Sequence, residues 1–200
     1  FFEGKFRNIK TTYTNLRTLE RKSTLKEWFF PPEDKNPLGP LPTIKFKGQD
    51  LTEGKFVWFG HSTLLMKTEG LVVMTDPVFN RASPLPSFSS KSKSSFFNGK
   101  PFVFENPILI EDLPKVDVVI ISHDHYDHLD SKAIKDLSNL VDHFIVPLGV
   151  GAHLERWGVD TNKITELDWY ESKSYKDVEF IFAPALHFSG RGITNGNSTL

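Results

Sequence analysis

The run VDVVII, residues 116–121, is apolar at five of its six positions. A strand with one wet face alternates apolar and polar side chains, so this one must be covered on both faces. That demands layers above and below a sheet, and it places the chain among α/β proteins. The run also delivers an unusual cargo at its C-terminal end. Residues 121–130 read ISHDHYDHLD and contain three of the chain's seven histidines.

Other segments fit the same frame. KFVWF (55–59), TLLMK (63–67) and LVVMT (71–75) read as strands joined by Gly-containing turns, close enough together for antiparallel hairpins. After the buried strand, SKAIKDLSN reads as a short helix with Asp130 or Ser131 as its N-cap. HFIVP (143–147) is a strand and GVGAHLERWG (149–158) a helix, and ITELDW and VEFIFAP (178–184) add two strands. The order is hairpins first, then β-α-β-α-β. Residues 1–43 are expected to form an N-terminal arm: LRTLERKSTLKEWFF is helix-like, and PPEDKNPLGPLP is kept extended by its prolines. The domain proper is expected over 44–200.

Composition narrows the chemistry. A net charge of −1 supplies no general attraction for nucleic acid. The absence of cysteine excludes disulfides, thiolate metal sites and a cysteine nucleophile. No apolar stretch is long enough to span a bilayer, and the compartment stays open. The 18 phenylalanines exceed what a core alone explains, and Phe88, Phe96 and Phe97 flank a Ser/Lys-rich loop at 87–95. That loop is either an ordinary flexible connection or a contact with a lipid interface. Gly149-Val-Gly151 opens a helix, but Leu154 replaces the third glycine of a dinucleotide turn, so a plain tight turn is the expectation.

Imidazoles and carboxylates are the donors that zinc and similar divalent ions accept. In extended backbone, residues i and i+2 point the same way, so His123 and His125 can grip one ion. Asp127 and His128 lie just beyond and can reach a second. The competing reading, a solvated loop that merely caps a helix, fits one histidine far better than three after a buried strand.

His123-Asp124-His125-Tyr126-Asp127-His128 resembles the HxHxDH signature of the metallo-β-lactamase fold. VWFGHSTLLM (57–66), TDPVF (75–79), VPLGVGAHLERWG (146–158), ELDWYES (166–172) and PALHFSGRG (184–192) extend the likeness. Together they resemble the branch containing the N-acylphosphatidylethanolamine-hydrolysing phospholipase D and its bacterial relatives. The resemblance implies an αβ/βα sandwich, of which this chain holds largely the N-terminal half. It implies two zinc ions, with His123, His125 and His187 on the first. Asp127 and His128 contribute to the second and act in catalysis. Asp76 either orients a liganding histidine or simply closes a strand-end turn. His61 either contacts substrate or holds its turn together, and Arg191 either binds a phosphate oxygen or forms a surface salt bridge. Leu186 stands where relatives carry Gln, which removes a polar contact there.

The implied function is zinc-dependent hydrolysis of a phosphodiester in an N-acylphosphatidylethanolamine-like phospholipid, with hydroxide on the metal as the attacking group. A lactonase of the L-ascorbate-6-phosphate type is the alternative within the enzyme class. The resemblance also implies further ligands after His187, whereas Asp142, Asp160 and Asp168 all precede it. The chain is therefore expected to be a fragment, to need a partner chain supplying the other half, or to form a homodimer. A metal-binding half-domain acting only through a partner is the non-enzymatic reading.

Overall fold

The computed structural model describes residues 4–8, 37–80, 102–192 and 196–200. The helix-like stretch 16–30, most of the proline-rich arm and the Ser/Lys loop with its phenylalanines lie outside the described residues. Six strands form one mixed sheet in sequence order: β1 (Phe56–Gly60), β2 (Thr63–Thr68), β3 (Leu71–Thr75), β4 (Val116–Ile120), β5 (Val141–Pro147) and β6 (Ile164–Leu167). β1, β2 and β3 pair antiparallel, as short turns require, while β3, β4, β5 and β6 pair parallel. The crossovers after β4 and β5 carry the helices α1 (Ser131–Leu137) and α2 (Gly151–Arg156).

Both faces of β4 are covered. Leu65, Met74, Val119, Phe144 and Val146 face the helices and pack with Ile134, Leu137, Val150 and Leu154. On the opposite face Leu71, Val73, Val118, Ile145 and Leu167 pack against Tyr175, Val178 and Phe180. Those last residues belong to a hairpin, β7 (Ser172–Tyr175) and β8 (Val178–Ile181), which forms its own two-stranded sheet. VEFIFAP therefore does not continue the main sheet; it folds back with SKSY, a polar strand whose pairing a sequence pattern does not reveal. Among the described residues, coverage of that face stops short of β1, where Phe56 and Trp58 are 71% and 65% exposed. Among the described residues, no helix is long and apolar enough to cross a membrane.

Two carboxylates lock the connections. Glu166 on β6 accepts the backbone N–H groups of Gly149 and Gly151 at 2.9 and 2.7 Å. A Cβ on Gly151 would meet that carboxylate at 2.7 Å, so the second glycine provides room for an internal anion. Asp130 is the N-cap of α1, with Oδ1 accepting from the backbone of Lys132 and Ala133. Its Oδ2 accepts from the backbone of Phe79 and Asn80 and from the Asn80 amide. Asp130→Ala removes the cap and orphans partly buried donors on a second loop. The expected loss is about 2–4 kcal/mol, read as a lowered urea midpoint; a change within that of a surface substitution would refute the assignment.

Candidate metal centre

The C-terminal edge of the parallel strands carries the site. β4 ends at Ile120, and the chain runs extended before turning at His125, whose carbonyl accepts from the backbone of His128 and Leu129. The alternation here has two consequences. His123 and His125 point outward together, and their ring centroids lie 4.5 Å apart. Asp124 and Tyr126 point the other way and hold the loop that carries His187. Asp124, fully buried, accepts the backbone N–H of Gly190 at 2.6 Å, and the Tyr126 hydroxyl donates to the Arg191 carbonyl at 2.8 Å.

Two donor groups result. In the first, His125 Nδ1 lies 3.0 Å from His123 Nε2 and 3.3 Å from His187 Nε2. The second comprises His61, Asp127 and His128. The groups adjoin, with the His123 and His128 ring centroids 4.1 Å apart. Every donor atom is an imidazole nitrogen or carboxylate oxygen, and in each group all lie within 4.8 Å of one another. That chemistry and convergence fit a divalent cation with nitrogen and oxygen preference.

One buried carboxylate orients both groups. Asp76 follows β3 with φ of 38° and accepts the Ser122 N–H, the Ser122 hydroxyl and His128 Nδ1 at 2.7, 2.7 and 2.9 Å. Because the Ser122 hydroxyl donates to Asp76, its oxygen accepts from His123 Nδ1, 3.0 Å away. Each histidine thereby keeps its proton on Nδ1 and turns a lone pair on Nε2 towards the donor cluster. Ser122 was invisible as a site residue in the sequence; its only signal is its place between the buried strand and His123.

The charge states follow from the surroundings. Burial, then the neighbouring His128, His125 and His187, depresses His123 to a pKa of about 3. Burial and His187 also lower His125. Burial works against a charged His128, but the hydrogen bond and charge of Asp76 outweigh it and raise that pKa. At neutral pH His123 and His125 are therefore neutral imidazoles, the form a metal requires.

The remaining residues are placed as follows. His187 lies in coil beyond the end of β8, with its carbonyl accepting from the Asn8 amide at 2.8 Å. Among the described residues, Arg191 joins neither a surface ion pair nor the donor clusters. Its Nη1 donates to the carbonyls of Asp124 and Leu129, and its guanidinium lies 4.0 Å over the Tyr126 ring. Leu186 and Phe188, 61% and 50% exposed, flank His187. His143 and His153 stand apart, stacked on Tyr175 and Trp157.

Comparison with known proteins identifies the family. The family model for the beta-lactamase superfamily domain matches residues 72–200. An uncharacterized protein of Mycobacterium tuberculosis is 41% identical over 169 residues, which cover 82% of this chain and 42% of the relative. The N-acyl-phosphatidylethanolamine-hydrolyzing phospholipase D 1 of Caenorhabditis elegans is 34% identical, over 94% of this chain and 53% of its own length. A UPF0173 metal-dependent hydrolase of Hyperthermus butylicus is 25% identical over 70% of this chain and 53% of the relative. The chain spans about half the length of the curated relatives it matches. With a mixed α/β sheet that ends in two metal-competent histidine clusters, the chain belongs to the metallo-β-lactamase superfamily, a family of metal-dependent hydrolases.

Proposed function

We propose that this protein is a zinc-dependent phosphodiesterase of the phospholipase D type, acting on N-acylphosphatidylethanolamine-like phospholipids. The observation that carries the reading is the pair of adjoining donor clusters at the C-terminal edge of β4. The likeness to the nematode phospholipase D supports the substrate class. Exposed Trp58, Leu186 and Phe188 rim the clusters, an apolar border suited to acyl chains beside a polar headgroup.

Bound zinc supplies Lewis acidity, lowering the pKa of water and neutralising charge on phosphoryl oxygens. The chain's own residues do the positioning. His123, His125 and His187 hold the first position, and Asp127 and His128 contribute to the second. Asp127, its carboxylate about half exposed (49%), accepts a proton from the attacking water. His128 is kept in one tautomer by Asp76. Water oxygen bonds to phosphorus, the phosphorus–oxygen bond to the N-acylethanolamine breaks, and the proton goes to the leaving oxygen.

The test is release of N-acylethanolamine and phosphatidate by the zinc-loaded chain, with oxygen-18 from water appearing in the phosphatidate. Turnover of a lactone but of no phosphodiester would replace this reading with the lactonase. Failure of both with zinc bound would favour a half-domain that needs a partner chain or a second copy. The exposed Phe56 and Trp58 on the sheet face are the observation on that side.

A further inference from the structure

We propose that Asn8 is a positioning residue for the metal centre, its side-chain amide fixing the backbone from which His187 reaches the first position. The inference rests on His187 being a ligand, as read above, and not on the substrate. Asn8 stands 179 residues from His187, in a segment that shares no motif with the donor clusters.

His187 is the one ligand of its group with no strand directly behind it. His123 and His125 continue the backbone of β4, and the Ser122 hydroxyl holds the His123 ring. β8 ends at Ile181, and His187 lies in the coil beyond, between exposed Leu186 and Phe188. Its ring rests against Phe188 and His125, with centroids 5.0 Å from each. A metal position accepts donor displacements of only about 0.2 Å, so the peptide planes beside His187 must be fixed by other means.

Two contacts fix them. Downstream, the N–H of buried Ser189 donates to Asn197 Oδ1 at 3.1 Å and its carbonyl accepts the Asn197 N–H at 2.8 Å. The Ser189 hydroxyl donates to the Thr199 carbonyl. At His187 itself, Asn8 Nδ2 donates to the carbonyl at 2.8 Å and so orients the peptide plane joining His187 to Phe188. Asn8 is anchored through the same hub, since the Phe6 N–H donates to the Asn197 carbonyl at 2.7 Å. Asn197 has φ of 59°, a left-handed conformation that asparagine tolerates, and it presents its N–H, carbonyl and side chain to two neighbouring segments. Residues 4–8 and 196–199 thus clamp the backbone of the third ligand from two sides.

The experiment follows the His187 ring signal by NMR while chelator-buffered zinc is titrated into the metal-free full chain, so that the midpoint belongs to the first position. Asn8→Asp keeps the side-chain shape but sets a carboxylate oxygen against the His187 carbonyl, whereas Asn8→Ala only removes the donor. The free zinc needed for half-occupancy should rise about 10–100-fold in Asn8→Asp, and by less in Asn8→Ala. The urea midpoints of both metal-free variants should stay close to wild type. A zinc midpoint within threefold of wild type in Asn8→Asp overturns the proposal. So does a larger loss in Asn8→Ala than in Asn8→Asp, the order that packing alone would give, or a loss that merely tracks a lowered urea midpoint. A wild-type His187 signal that ignores zinc would reject the ligand reading together with this one. Zinc binding as expected, without phosphodiester turnover, would retain the role of Asn8 and reject only the substrate.

Discussion

His125→Ala should abolish the first metal position while leaving the fold intact. Its Nδ1 is the atom shared by that group, 3.0 Å from His123 Nε2 and 3.3 Å from His187 Nε2. The remaining two nitrogens come from different loops and leave the position one donor short. The loss in affinity should exceed the roughly 10–100-fold that removal of an outer partner costs. Activity should fall with it, since a hydroxide at neutral pH depends on the ion. Because the ring is only partly buried and belongs to neither core cluster, the urea midpoint of the metal-free protein should stay close to wild type. Zinc affinity within threefold of wild type would show that the three histidines are not a ligand set.

Asp76→Asn is the second large effect, and it acts without touching a ligand-forming atom. Asparagine accepts φ of 38° and keeps one oxygen for the Ser122 N–H, so the β3 end should survive. The amide nitrogen that replaces Oδ2 donates, and it now faces the Ser122 hydroxyl and His128 Nδ1. His128 then loses the acceptor that holds its proton on Nδ1, and the Ser122 relay to His123 loses its end point. Metal affinity should fall about 10–100-fold, with the second position affected first. The elevated pKa of His128 should fall as well, because Asp76 provides the hydrogen bond and charge that raise it against burial. An NMR titration of the metal-free variant reads that shift directly. An unchanged His128 titration would mean the Asp76 contact does not set its protonation.

Much of the fold is legible because its signals are local. The apolar run at 116–121 requires cover on both faces, and it has helices on one and a hairpin on the other. The turns at 60–62 and 69–70 set antiparallel pairing, and Asp130 or Ser131 reads as a cap because both precede amphipathic spacing; the structure uses Asp130. The hairpin β7–β8 is less legible: SKSY is polar, and only its pairing with VEFI makes it a strand. In the site, the outward pair His123 and His125 follows from two-residue alternation, and the same alternation sends Asp124 and Tyr126 inward to the His187 loop.

Sequence alone determined the chemistry of the metal centre, since donors spaced two and three residues apart after a buried strand converge whatever surrounds them. It also determined the layered α/β class, through runs too apolar for any wet face. Only the tertiary structure decided which distant side chains join those donors. It brings His61 across from the β1–β2 turn, gives Asp76 and Ser122 joint control of two imidazole tautomers, and turns Arg191 inward onto backbone carbonyls. Those outcomes depend on how separate loops meet at one sheet edge, and a contact between residues some sixty positions apart leaves no periodicity in the chain that makes it.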